Sequence, residues 1–309
     1  MSKEIYLFIA SVLLLLPVLS LFEVVPISTQ LILCAPFIFL LGIPHGAIDN
    51  MLYLRENNTK NSHFIVVYLI IIAANVGLWL IYPAVAYATF LLLSAYHFGQ
   101  SQFSHYFKSQ SWSRKFIFLA WGISILSALI LFNIGEINAV MIDYKEFTVF
   151  DPIHNINMLW TIFVSSTIAT IVGLLFFRSK GAISLDTVGM EILILGLILF
   201  CFYLMPLMVG FTLYFIILHS VKVLNEEYGF LKRVNKIKST GGFVKLLLPF
   251  SALSFLGIGM LFLMIHLEFL SISYGYCMLI LISSITLPHV FVMNQFYRLL
   301  LGNRSEQMT

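Results

Sequence analysis

The chain has little charge. Lysine, arginine, aspartate and glutamate make up 10% of its 309 residues, while 60% are hydrophobic. A soluble domain carries about 25% charge, so this chain cannot cover a water-facing surface. It has no strong basic excess: the net charge is +3 and the basic residues fall between apolar runs, which leaves no footing for nucleic acid. It has only three cysteines, Cys34, Cys201 and Cys277, each inside an apolar run and none in a CxxC. That excludes a disulfide framework and a zinc ribbon. Strict apolar–polar alternation is missing, which excludes a membrane β-barrel. Internal repeats and polar linkers are missing, so one domain over residues 1–309 is expected. No small-x-small cleavage pattern follows the apolar run Ile5–Leu16, so Met1–Phe22 is expected to stay as a first span.

What is present is a series of long apolar runs, with a mean hydropathy of +0.98. In lipid, each backbone must satisfy its hydrogen bonds within its own segment, so an all-α polytopic membrane bundle is expected. The candidate spans run about 5–22, 31–54, 64–82, 83–103, 116–135, 157–177, 189–205, 206–224, 243–265 and 269–301. Tyr82-Pro83 and Met205-Pro206 read as tight hairpin turns; merging both would leave eight spans instead of ten. Pro44, Pro249 and Pro288 interrupt spans and are expected to kink them.

Charge orients this path. With the N-terminus inside, the cytoplasmic segments hold Lys3, Arg55, Lys60, Lys108, Arg114, Lys115, Arg178, Lys180, Lys222, Lys232, Arg233, Lys236, Lys238, Lys245, Arg298 and Arg304. That is every basic residue of the 17 except Lys145, which shares its loop with four acids. The positive-inside rule therefore predicts ten helices with both termini cytoplasmic, in the cell's inner membrane and surrounded by its lipid.

The path also aligns four histidines. His45, His97, His219 and His289 lie in the second, fourth, eighth and tenth spans, all running inwards. At about 1.5 Å per residue they reach a similar depth in the cytoplasmic half. Asp49 is four residues after His45 and would share its face on a helix. Of the other ionisable groups, only Asp49 and Lys222 are expected near this level. Ionisable groups inside a membrane usually mark function.

Neutral imidazoles suit Zn, Cu, Fe or Ni, and helix bundles build metal sites by such convergence. The alternative is four unrelated packing histidines. No two histidines are four apart, so the boxes of membrane di-iron enzymes are absent, and so is the pairing that holds two stacked haems. A mononuclear all-imidazole site remains. Neutral ligands would leave iron its full charge and a position open for O2, and the apolar surroundings favour a lipophilic substrate delivered from the bilayer.

Four blocks resemble the bacterial and archaeal Brp/Blh family of β-carotene 15,15′-dioxygenases. Residues Gly42 to Asp49 (GIPHGAID) are similar to its G-[LI]-P-H-G-A-x-D. Ser94 to Gly99 (SAYHFG) are similar to its S-x-[WY]-H-F-G. Tyr214-Phe215 followed by His219 to Lys222 resemble Y-F…H-S-x-[RK]-H, and Leu287 to Val290 resemble its terminal L-P-H block. The resemblance implies an integral membrane enzyme that splits β-carotene at the central double bond with O2, giving two retinal, often for a rhodopsin. It implies Fe(2+) ligands at His45, His97 and His219.

The chain departs from the family where the third block ends: Val223 replaces a second histidine. Either His289 completes the set, or three imidazoles and a water do, or the activity is altered; His289 is the expected fourth ligand. Asp49 is expected to orient an imidazole, or else to serve as a plain helix-end acid. Tyr96 and Tyr214 are expected to line a substrate tunnel, or to pack. Gln100 and Ser101 stand where the family commonly carries acids. Two other readings stand beside the enzyme: a transporter whose histidines relay protons or bind a transported metal, and a non-catalytic relative that has lost its iron.

Overall fold

Prolines and polar breaks set the helix boundaries. A proline lacks the N–H that the first turn of a helix leaves unsatisfied, so it opens helices at low cost. Pro83 opens a helix immediately after Tyr82, and Pro206 precedes another after Met205, whose backbone is extended. The computed structural model describes residues 2–22, 24–57, 61–107, 111–234 and 236–306. The side chains of His45, 54–57 and 301–306 lie outside that description, as do Lys60 and Lys108.

The described residues are helical, without a strand. In order they form α1 (Lys3–Leu19), α2 (Ile27–Phe37), a π-helical turn (Ile38–Gly42), a 3-10 turn (Ile43–Gly46), α3 (Asp49–Asn57) and α4 (Asn61–Ile81). Next come α5 (Pro83–Phe103), α6 (Trp112–Phe132), α7 (Ile134–Asp143), α8 (Ile156–Ser179) and α9 (Leu185–Leu204). The chain closes with α10 (Leu207–Leu213), a second π-helical turn (Tyr214–Ser220), α11 (Val221–Arg233), α12 (Thr240–His266) and α13 (Tyr274–Glu306).

Among the described residues, seven segments are long and apolar enough to cross a membrane: α4, α6, α8, α9, the continuous helix Leu207–Arg233, α12 and the Tyr274–Leu300 part of α13. The other three expected spans are helical but shorter or more polar. They are α1, the Ile27–Gly42 segment and α5, which ends in the polar run from His97 to Gln102. The expected kinks divide: the second span is broken around Pro44, whereas Pro249 and Pro288 lie within continuous helices.

Helix α6 is the centre, 72% buried over its apolar window, against 17% for α4 and α12. It packs on α5 backbone to backbone. Gly99 faces the Phe118 carbonyl and Gly122 faces the Ala95 carbonyl, and a Cβ at either glycine would overlap the facing group. Small residues that let helices approach this closely are a main source of packing in lipid. Around this pair a core forms from Phe103, Ile117, Trp121, Ile125, Ile198 and Phe202, among others. A second core, with Ile48, Leu52, Val223, Phe230, Met293 and Phe296, joins α3, α11 and α13.

Polar side chains fix the remaining elements. Glu136 of α7 accepts from Gln30 of α2 at 2.7 Å and from the Leu207 N–H at 3.3 Å, while Gln30 accepts from the Met208 N–H at 2.9 Å. Two of the N–H groups that open α10 are thereby satisfied by distant side chains. Between α4 and α13, Asn75 donates to Ser283 and Ser284, and the Trp79 indole donates to Ser283.

Candidate functional site

Three of the four expected histidines meet. His97 sits two residues before Gly99, so the α5–α6 backbone contact fixes its height. His219 lies within the second π-helical turn, and such turns recur at functional sites. His289 follows Pro288 in α13. All three are buried, and His97 stands between the other two: its ring centroid is 4.8 Å from that of His219 and 5.0 Å from that of His289. The backbone of His45 belongs to the 3-10 turn Ile43–Gly46, and its side chain lies outside the described residues. Neighbouring Gly46 faces the His289 ring, which brings that turn against the cluster. Of the remaining histidines, His63, His105 and His266 are exposed and His154 is buried in a loop, bonded to Tyr87.

The hydrogen bonds around two imidazoles decide which nitrogen each presents. The Ser101 hydroxyl gives its one proton to the Phe98 carbonyl at 2.9 Å. Toward His219 Nδ1, 3.0 Å away, it therefore accepts, so Nδ1 carries the proton. The Asp49 carboxylate is 2.9 Å from His289 Nδ1 and acts there as acceptor, so that nitrogen is protonated too. In both rings Nε2 is then the nitrogen with the lone pair, the form a metal requires. Tyr68 donates to Asp49 Oδ2 at 3.1 Å and steadies the carboxylate. Asp49 thus contacts the imidazole of His289, 240 positions further along the chain.

Among the described residues, which leave out the His45 side chain, no group of three or more His, Cys, Asp or Glu is placed to hold a metal ion. The donor set nevertheless fits one. A metal–imidazole bond of about 2.0–2.1 Å puts the ring centroid roughly 3.2 Å from the ion, so two rings at right-angled to tetrahedral positions stand about 4.5–5.3 Å apart. The observed 4.8 and 5.0 Å fall inside that interval. Val223, where the family histidine would stand, is fully buried among hydrocarbon side chains, with Ile48, Leu52 and Met293 in the same core.

Tyr96 is half-buried and, with Gln100, reaches Asn294 of α13, at 3.5 and 3.0 Å. Tyr214 is buried, edge-on to Phe98 and Phe202. Phe98 and Phe215 cover His219, the latter stacked on it at 5.6 Å.

Sequence reasoning missed four partners. Ser101 was noted only as a departure from the family's acids, yet it holds the position from which His219 is oriented. Tyr68 gave no signal, because a tyrosine in an apolar helix is unremarked. Glu191 did give one: it is the lone acid in the apolar body of α9. It accepts from Gln102 at 2.7 Å and from Tyr106 at 2.6 Å, and Lys222 donates to the Gln102 carbonyl at 3.2 Å. Burial, and then the Glu191 carboxylate, hold the Tyr106 phenol protonated well above its ordinary range. Glu227, one turn after Val223, is fully buried. Glu191 and Glu227 are thus two further buried acids besides Asp49.

A family model described as beta-carotene 15,15′-dioxygenase matches residues 37–297, a stretch that includes all four histidines. No curated protein and no solved structure matches the chain.

Proposed function

Because the chain belongs to the beta-carotene 15,15′-dioxygenase family, we propose that it splits β-carotene at the central 15,15′ double bond with O2 inside the membrane. One carotene and one O2 give two retinal: the central C=C breaks, and each oxygen atom ends in one aldehyde. The observation that carries this reading is the pair of contacts that hold Nδ1 of two buried imidazoles, Ser101 at His219 and Asp49 at His289, with His97 between them. That arrangement prepares imidazoles to bind a cation rather than to pack.

In this reading His45, His97, His219 and His289 hold a non-haem Fe(2+), with His289 in place of the ligand lost at Val223. An iron held by these residues would supply the redox chemistry for reaction with O2. The chain's own part is to position and to seal. Asp49 and Ser101 fix the ring orientations of His289 and His219. Phe98 and Phe215 keep water from His219. Uncharged ligands leave the iron its full charge, and an apolar surround suits a substrate that arrives through lipid.

The chain is proposed to cross the inner membrane ten times, with α1, the Ile27–Gly42 segment and α5 added to the seven long apolar helices and both termini in the cytoplasm. Retinal is released to the lipid or handed to a rhodopsin.

The test is turnover by purified protein loaded with iron anaerobically and then given β-carotene and O2. Two retinal per carotene consumed are expected, with about one iron per chain. A folded, iron-loaded protein that leaves the carotene intact would overturn the activity. A folded protein that binds no iron would favour the non-catalytic reading, which the hydrocarbon packing of Val223 supports.

A further inference from the structure

One face of the helix from Leu207 to Arg233 carries three flat rings in file. Phe211 and Phe215 are stacked at 5.2 Å with planes 10° apart, and Phe215 and His219 at 5.6 Å with planes 20° apart. Both spacings match the helix pitch of about 5.4 Å. The alignment has a backbone cause. On an α-helix, residues four apart are turned by roughly 40° about the axis, so a run of them spirals away. The π-helical turn Tyr214–Ser220 has more residues per turn and reverses that drift. The rings therefore stand one above another, parallel to the axis, and the last is the candidate ligand His219.

The file is open on part of its side. Phe211 and Phe215 are only half-buried, although their neighbours Thr212, Leu213 and Tyr214 are buried. The other π-helical turn faces them: a Cβ on Gly42 would come 2.6 Å from Phe215 Cε1, so only glycine leaves that ring its place. On the same turn Leu40 is exposed, in contact with lipid if the segment lies in the membrane. Phe211 and Phe215 keep part of their surface exposed while His219 is buried at the end of the file, and contact with aromatic rings is a preferred geometry for π systems. A flat polyene lying along the axis would meet Phe211 and Phe215 and lead toward His219.

We infer that the carotenoid substrate lies along the Phe211–Phe215–His219 file, which sets how far the polyene advances and hence which double bond reaches the metal. This rests on the proposed carotenoid cleavage, and it adds two positioning residues that metal chemistry alone does not require.

Two readouts test it separately. In nanodiscs without iron, β-carotene held along one chiral face should acquire circular dichroism in its visible band. Phe211→Leu combined with Phe215→Leu should bind it about tenfold more weakly, whereas Phe132→Leu, on α6 away from the file, should bind as the wild type does. With iron, the double variant should keep wild-type iron content but yield a mixture of unequal apocarotenals in place of retinal alone. Wild-type binding and an unchanged single product in the double variant would overturn the inference and leave the activity standing. Binding that depends on Phe211 and Phe215 in a protein that never cleaves carotene would overturn the activity and leave the inference standing. Absence of any induced band in the wild type would overturn the inference, leaving lipid chains as the cover of this face.

Discussion

His289 gives its Nδ1 proton to Asp49 across 2.9 Å, joining two residues 240 positions apart in the chain. In the proposed iron site this bond would make Asp49 a support of a ligand rather than only the first residue of α3. Outer hydrogen bonds to ligating histidines are typically worth 10–100-fold in metal affinity. Asp49→Ala is expected to reach the upper part of that range, and Asp49→Asn, which still offers an oxygen, the lower part. Ser101→Ala should act likewise through His219. Iron retention against graded chelator measures it; Asp49→Ala protein that holds iron as the wild type does would reduce Asp49 to a helix-end acid.

His289→Ala is expected to lose iron as completely as His97→Ala and His219→Ala. Val223→His, alone, should destabilise by about 1–3 kcal/mol, since it enlarges a fully packed apolar site. In the His289→Ala background the same change should recover part of the iron. Full iron occupancy in His289→Ala would instead leave three protein imidazoles at the site.

Gly99→Ala should separate α5 from α6, because the added methyl overlaps the Phe118 carbonyl. A loss of about 3 kcal/mol or more is expected, beyond ordinary overpacking because the obstacle is backbone. The thermal midpoint in detergent reads the stability, and iron content should fall with it as His97 shifts. Gly77→Ala, with open space around the new Cβ, is the control.

Stability should also depend on pH through the loop after α7. His154 is buried, and burial holds its imidazole below the usual value of 6.5 despite Asp151 nearby. Tyr87 lies 3.1 Å from His154 Nε2 and donates to it when the ring is neutral. The unfolded chain therefore binds the proton more readily than the folded one. The contribution is fully present above about pH 6.5 and is lost as the pH falls below it toward the lowered folded value. Denaturation midpoints between pH 5 and 7.5 should show this fall in the wild type and a flatter profile in His154→Phe.

Reporter fusions after Arg114 and after Lys236 should both report cytoplasm, and one after Asp143 the outside. Opposite compartments for the first two would end the ten-span path.

The meeting of His97, His219 and His289 was legible because side chains at matching distances along neighbouring helices come together, and these three rings do. Pro83 and Pro206 announced their helix starts for an equally local reason. The partner of Asp49 was not legible. His45 is one turn away and was the natural candidate, but the carboxylate reaches His289 on α13, a choice made by tertiary packing. Ser101 was hidden because its role depends on a hydroxyl already committed to the Phe98 carbonyl. The register of Phe211, Phe215 and His219 was hidden because it needs a π-helical turn, and no composition rule marks one.

A π-helical turn amounts to an α-helix carrying one extra residue. The aim of the His219 imidazole is therefore encoded in chain length as well as in residue identity. Removing a single residue between Phe215 and His219 would let an ordinary α-helix run straight through: the segment beyond would keep its place, while His219 would fall three residues after Phe215 instead of four and leave the file. Point substitutions can only reshape this site in place. A one-residue deletion would instead change the register of the rings against one another without altering any side chain of the cluster.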